Sequence, residues 1–140
     1  MGEKIRILIA DDDPDVRQSL TLALALDPQF QYETETAATV EETRMKMHTH
    51  SPQILLLDNH FPDSPRAGLD ELLPEFAAQF SDTTIIIITA LRGGDTMQIA
   101  TAKGWGAVGF LDKPFSNEAL YEAINKAYRA WQADHNDGNC

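Results

Sequence analysis

The stretch QILLLD, residues 53–58, is an aliphatic run that ends in a carboxylate. A second run, TIIIIT (84–89), is equally apolar and ends in a hydroxyl. Strands of a parallel sheet show such continuous runs because helices cover both of its faces. The two runs therefore predict central strands of a parallel sheet, each with a polar residue at its carboxyl end.

Three further segments complete the predicted sheet. IRILIA (5–10) and AVGFL (107–111) are apolar, whereas QYETETA (31–37) alternates weakly and predicts an edge strand. Helical patterns separate the five strands along the chain. Alternation of this kind predicts right-handed βαβ units and one α/β domain with a doubly wound parallel sheet.

Five helical patterns fill the gaps between these strands. The first begins with Asp13 as N-cap and Pro14 at the first helical position. The second begins with a capping box formed by Thr39 and Glu42. The other three lie at about 69–80, 95–103 and 116–131. The domain is expected to span residues 1–131, and the polar residues 132–140 predict a disordered tail.

Composition narrows the class of protein. The 140 residues suit one domain, and the net charge of −11 argues against direct binding to nucleic acid or to an anionic membrane. The only cysteine is Cys140, so no internal disulfide can form. No apolar run approaches the roughly 20 residues of a membrane helix, and no signal-peptide core is present. We therefore expect a cytoplasmic protein.

Polar side chains follow the predicted strands where each one ends. Asp11 and Asp12 follow the first strand, Asp58 ends the third, Thr89 ends the fourth, and Lys113 follows the fifth. Ligands of doubly wound sheets bind beyond the carboxyl ends of the strands. We therefore expect these side chains to share one edge of the sheet.

The chemistry of this edge favours a metal-assisted reaction with phosphorus. Clustered carboxylates need a cation, and ligation by oxygen alone suits Mg²⁺, or Mn²⁺ as the alternative, better than zinc. A carboxylate beside such an ion can attack phosphorus and form an aspartyl phosphate. Lys113 and Thr89 can bind the other phosphoryl oxygens. The residues thus supply the parts of a self-phosphorylating carboxylate site.

The strand ends lie within the stretches ILIADDDPDVRQSL, PQILLLDNHFP, IIIITA and GAVGFLDKPF. In order and spacing these resemble the signature stretches of the response-regulator receiver domain of two-component signalling, over residues 4–131. The resemblance implies a flavodoxin-like fold, (βα)5, with strand order 2-1-3-4-5. It also implies a signalling protein that catalyses only its own phosphorylation and slow dephosphorylation.

The resemblance implies a role for each residue at the metal and phosphoryl site. Asp58 is the expected phosphoacceptor, and Lys113 is the expected phosphate-binding ammonium. The expected Mg²⁺ ligands are Asp58, Asp12 directly, Asp11 mainly through water, and the main-chain carbonyl of His60.

The resemblance also implies a switch. Thr89 is the expected switch hydroxyl, Phe110 the aromatic residue that changes rotamer, and Pro114 the residue that holds the peptide after Lys113, usually cis in this family. Phosphorylation is expected to reshape the face formed by the fourth helix, the fifth strand and the fifth helix, which we term the output face.

Partners follow from the same resemblance. A sensor histidine kinase or a phosphotransfer protein is the expected donor within a phosphorelay. The output face is expected to act on a downstream domain or protein, and phosphorylation to allow a homodimer. The sequence does not decide whether the receiver stands alone or belongs to a larger regulator or hybrid kinase.

Rival interpretations remain open at this point. Asp11 and Asp13 imitate the first motif of haloacid-dehalogenase-type phosphatases, although Asp15 stands where that motif has Thr or Val. A flavin-binding module shares the architecture, but three acids in the first loop would repel the FMN phosphate. A receiver-like module that is never phosphorylated is the third alternative.

Two smaller features complete the sequence predictions. The loop that contains DSPRA (63–67) is two residues longer than is usual in receivers, which puts its fit over the metal in doubt. His48 and His50 have the spacing of a metal-ligand pair, but they predict exposed histidines at the end of a helix.

Overall fold

The computed structural model describes residues 4–58, 72–89, 107–112 and 115–136. Five parallel strands form one sheet: β1 (Lys4–Ala10), β2 (Gln31–Ala37), β3 (Ile54–Asp58), β4 (Thr84–Thr89) and β5 (Ala107–Asp112). Their order, β2-β1-β3-β4-β5, is the predicted one. The helices of the described part are α1 (Pro14–Ala25), α2 (Val40–His50), α3 (Leu72–Gln79) and α4 (Asn117–Asn136).

Some predicted features fall outside this part of the chain. The helix expected at about 95–103 and the lengthened loop that contains 63–67 lie outside the described residues. The helix expected at 116–131 is α4 in the present numbering.

The sheet separates two apolar clusters, and alternate residues of one strand belong to opposite clusters. Leu55 of β3 packs in the cluster beneath α2 and α3, whereas Leu56 packs in the cluster beneath α1 and α4. All five residues of β3 are buried. Burial of each large aliphatic side chain contributes roughly 1.5–3 kcal/mol, so the central strands and the residues at their ends are held firmly.

Helix starts follow the predicted capping chemistry. The carboxylate of Asp13 accepts a hydrogen bond from the N–H of Asp15 at 2.9 Å, and Pro14 is the first residue of α1. At α2, the Thr39 hydroxyl accepts from the N–H of Glu42 at 3.1 Å. The Glu42 carboxylate accepts a hydrogen bond from the N–H of Ala38 at 2.7 Å. Ala38 is the residue before the cap.

The expected boundary of the last helix is wrong. The prediction placed the end at about Trp131, but α4 continues to Asn136. Residues 132–136 are therefore helical and not part of a disordered tail. The sequence holds no proline or glycine between Trp131 and Gly138, so nothing stops the helix. The Trp131 ring also stacks on Tyr128, with ring centroids 5.9 Å apart.

The two histidines of α2 differ in their surroundings. His48 is exposed, as predicted, and packs edge-on against Phe80. His50 is half-buried, contrary to the prediction, and its Nε2 lies 3.2 Å from the carbonyl oxygen of Ile7 and 3.1 Å from that of Glu33. The last turn of α2 lies over the first two strands, which explains these contacts.

None of the helices within the described ranges has the length and apolar character that are needed to cross a membrane.

Candidate functional site

Three carboxylates meet at the carboxyl edge of the sheet. Asp11 and Asp12 directly follow β1, and Asp58 ends the neighbouring strand β3. One oxygen from each residue lies within 4.8 Å of the other two. Asp11 is fully buried, Asp58 is 3% exposed, and Asp12 is half-buried. The structure thus brings together three of the residues that the sequence predicted for this site.

Several hydrogen bonds fix the backbone that carries this cluster. The N–H of Asp11 donates to the carbonyl oxygen of Ala37 at 3.0 Å, which ties the end of β1 to the end of β2. The Asp11 carboxylate accepts from the N–H of Asp13 at 2.9 Å. The guanidinium of Arg17 donates to the Asp11 carbonyl oxygen at 2.7 Å. Asp11 is therefore held through its amide, its carbonyl and its side chain.

Arg17 is not among the site residues predicted from the sequence. Its side chain reaches back six residues, because side chains of a helix point toward its N-terminus. One signal was available in the sequence. Arg17 is the only basic residue of α1, and it lies near the N-terminus, where the helix dipole disfavours a positive charge.

The electrostatics of the cluster favour a bound cation. At 4.8 Å, two ionised carboxylates repel each other by about 3 kcal/mol at an effective dielectric constant of about 20. Burial of Asp11 and Asp58 limits their solvation by water. Opposite ligands of Mg²⁺ lie about 4.2 Å apart, twice the metal–oxygen distance. The limit of 4.8 Å is close to this separation, and the oxygen-only donors of the cluster suit an ion such as Mg²⁺ or Mn²⁺.

The sheet register brings Thr89 to the same edge. Asp58 pairs with Ile88 of β4, and Thr89 is the next residue along that strand. Thr89 in turn pairs with Asp112, the last residue of β5, which precedes Lys113 in the sequence. The backbone of Thr89 thus lies one residue beyond the position in β4 that pairs with Asp58. His60, Lys113 and Pro114 lie outside the described residues.

Phe110 lies on β5, where it pairs with Ile87 of β4. Its ring is half-buried and packs against the apolar cluster beneath α2 and α3. Phe110 is thus partly packed and partly exposed, and its role as a switch residue stays a prediction.

Asp13 does not belong to the carboxylate cluster that contains Asp11 and Asp12. It is exposed, and its carboxylate caps α1. The third carboxylate of the cluster is Asp58 and not Asp13. This arrangement favours the receiver-like interpretation over the phosphatase, in which Asp11 and Asp13 would act as a pair.

Comparison with known proteins identifies relatives of this chain. A sequence model of the response regulator receiver domain matches residues 7–125. The chain is 32% identical over 122 residues to a probable C4-dicarboxylate response regulator, DctR, of Halalkalibacterium halodurans. It is 31% identical over 124 residues to the C4-dicarboxylate transport transcriptional regulatory protein DctD of Pseudomonas aeruginosa. Each alignment covers 87% of this chain.

The chain spans only part of these relatives, 50% of the first and 25% of the second. Among solved structures, a CheY-like receiver domain protein from Methanospirillum hungatei gives a TM-score of 0.80 at 25% identity, over 94% of this chain and 99% of that one. NtrX from Brucella abortus gives 0.83 at 23% identity, over 98% of this chain and 29% of that one. The second similarity shows the fold alone.

Proposed function

Because the chain belongs to the response regulator receiver domain family, we propose that phosphorylation of Asp58 switches it between two signalling states. Receiver domains are signalling modules and not classical enzymes. The observation that carries the proposal is the position of Asp58 at the end of β3, 3% exposed and with a carboxylate oxygen within 4.8 Å of oxygens from Asp11 and Asp12.

The phosphoryl donor in this proposal is a phosphohistidine of a sensor histidine kinase or of a phosphotransfer protein. A carboxylate oxygen of Asp58 forms a bond to phosphorus, and the phosphorus–nitrogen bond of the donor breaks. The bonding electron pair leaves with the imidazole, which takes up a proton. Firm packing of β3 holds the attacking oxygen in place, which removes part of the entropic cost of the reaction.

The proposed metal ligands are Asp11, Asp12, Asp58 and the main-chain carbonyl of His60. Mg²⁺, or Mn²⁺ in its place, would offset the negative charge of the phosphoryl group as it approaches three carboxylates. Within the described residues, the acidic cluster is the part of this site that supports the assignment.

Thr89 and Lys113 are proposed to bind the phosphoryl oxygens after transfer. A hydrogen bond from a hydroxyl to a charged phosphoryl group is worth roughly 1.5–3 kcal/mol. Movement of Thr89 toward the phosphoryl group would leave space for Phe110, whose ring already packs at the edge of an apolar cluster. The output face, which includes β5 and α4, then changes shape.

The proposed consequence is a signal to an output domain or protein, with homodimerisation as an additional response. Both curated regulators extend beyond the part that this chain matches, which supports signalling to an output domain or protein.

Intact mass spectrometry after incubation with acetyl phosphate and Mg²⁺ tests the proposal. Wild type is expected to gain the mass of one phosphoryl group and to lose it on treatment with hydroxylamine, which cleaves acyl phosphates. Asp58→Asn is expected to gain nothing, and Asp13→Asn, which keeps a capping side chain, is the matched control and reacts like wild type. Equal labelling of Asp58→Asn would overturn the assignment.

A further inference from the structure

Arg17 makes a contact that the proposed reaction does not explain. It lies in α1 and is half-buried, and its Nη1 lies 2.7 Å from the carbonyl oxygen of Asp11. A hydrogen bond from a guanidinium is a charge-assisted bond and is stronger than a bond between neutral groups. The acceptor belongs to the backbone that carries two of the three clustered carboxylates.

The geometry of the peptide bond links this contact to Asp12. The carbonyl of Asp11 and the N–H of Asp12 lie in one rigid plane. The orientation of that plane sets the ψ angle of Asp11 and the φ angle of Asp12. Asp11 is already fixed by its amide and its side chain, but Asp12 is only half-buried. A donor that holds the Asp11 carbonyl therefore fixes the direction in which the Asp12 side chain leaves the backbone.

We propose that Arg17 is a positioning residue of the carboxylate cluster, and that it aims the Asp12 carboxylate by fixing the Asp11–Asp12 peptide plane. The consequence for metal binding rests on the proposed function of the cluster. Residues that orient metal ligands typically change metal affinity by about 10- to 100-fold when they are removed.

Two other roles for Arg17 make different predictions. As a positive charge alone, Arg17 would repel a cation at the cluster, and its removal would tighten Mg²⁺ binding. As a purely structural residue, it would stabilise the fold without any effect on affinity. Arg17→Lys separates these roles from positioning, because it keeps the charge but has a side chain that is one bond shorter and lacks the planar fork.

The first measurement is the Mg²⁺ dissociation constant by calorimetry at constant ionic strength. We expect the affinity for Mg²⁺ to fall about tenfold in Arg17→Met. It should also fall in Arg17→Lys, but by less. Arg44→Met is the matched control: it removes the same charge from a surface ion pair between α2 and α3 and leaves the affinity unchanged. Tighter binding by Arg17→Met, or unchanged binding by both Arg17 variants, would overturn the proposal.

The second measurement does not depend on a metal. In the metal-free protein, the amide resonance of Asp12 reports the orientation and hydrogen bonding of the Asp11–Asp12 peptide. It is expected to shift or broaden in both Arg17 variants and not in Arg44→Met. An unchanged Asp12 resonance contradicts the positioning role, regardless of the Mg²⁺ affinity of the variants. A wild type that binds no Mg²⁺, with the Asp12 shift present, counts against the proposed function and leaves the positioning role standing.

Discussion

Asp12 and Asp13 are adjacent in the sequence, yet the backbone assigns them to different parts of the structure. Asp12 contributes an oxygen to the carboxylate cluster, whereas Asp13 is exposed and accepts a hydrogen bond at the start of α1. The two side chains are chemically identical. Their difference arises because the chain leaves β1 and enters a helix within three residues.

Substitution of Asp12 separates stability from metal binding. In the absence of divalent cations, Asp12→Ala is expected to raise the free energy of unfolding by about 1–2 kcal/mol, because it removes repulsion from Asp11 and Asp58. If wild type binds Mg²⁺ as proposed, it gains stability with the logarithm of the Mg²⁺ concentration, and Asp12→Ala is expected to lose that gain. Urea denaturation with and without Mg²⁺ measures both effects.

Asp13→Ala is the matched control at the next position. Loss of the cap is expected to lower the free energy of unfolding by about 1 kcal/mol, equally with and without Mg²⁺. Its stabilisation by Mg²⁺ should equal that of wild type. Full Mg²⁺ stabilisation of Asp12→Ala, or its loss in Asp13→Ala, would contradict the assignment of these two aspartates.

At the scale of elements, the strands were predictable and some of their surroundings were not. The runs ILLLD and TIIIIT are buried throughout their described side chains, and such patterns identify central strands without three-dimensional information. The end of α4 was predicted too early because the residues after Trp131 are polar, whereas packing of Trp131 supports the last turns. Arg17 was missed because its place in α1 marks it as unusual but does not show that its acceptor is the Asp11 carbonyl.

The candidate site also has a part that the sequence predicts and a part that it does not. Convergence of Asp11, Asp12 and Asp58 follows from parallel strands that share an edge, so the sequence was sufficient. The roles of His60, Lys113 and Pro114 stay predictions. The half-buried position of His50 depended on how α2 crosses the first two strands, which strand and helix patterns do not specify.

An ion pair links the two helices that cover one side of the sheet. Arg44 of α2 contacts both carboxylate oxygens of Glu75 of α3, at 2.8 and 2.7 Å. The hydrogen bond from Arg44 is the main reason why the pKa of Glu75 lies below its usual value. Because both side chains are partly exposed, the pair is expected to contribute less than about 1 kcal/mol.

This pair predicts a pH-dependent loss of stability. The pKa of Glu75 is lower in the folded state than in the unfolded state, so its contribution is complete above the unfolded value, about 4.3, and is lost as the pH falls through the folded value. Glu75→Gln is therefore expected to be less stable than wild type at pH 7, and the difference should shrink well below pH 4.

Urea denaturation at both pH values provides the measurement. Glu122→Gln, on the exposed side of α4, is the control and should show little difference from wild type at either pH. A Glu75→Gln deficit that persists unchanged in acid would show that the ion pair is not its cause.

At the scale of the whole molecule, the strand order places β4 between β3, which carries Asp58, and β5, which belongs to the expected output face. Asp58 lies on β3, between β1, which leads to Asp11 and Asp12, and β4, which ends at Thr89. Beyond β4 lies β5, which carries Phe110. Within the sheet, a change at Asp58 therefore reaches β5 through β4, which ends at Thr89.

Thr89→Ala tests this route. If the Thr89 hydroxyl binds the phosphoryl group, its hydrogen bond of roughly 1.5–3 kcal/mol biases the two signalling states by about ten- to a hundred-fold. The variant should keep the carboxylate cluster and still accept a phosphoryl group on Asp58, as intact mass would show. Phosphorylation-dependent changes in the NMR signals of Phe110 and α4 should be largely lost.

Thr84→Ala is the control. It removes a hydroxyl at the opposite end of β4, far from the site, and should respond like wild type. Normal signal changes in phosphorylated Thr89→Ala would mean that the switch reaches β5 by another path.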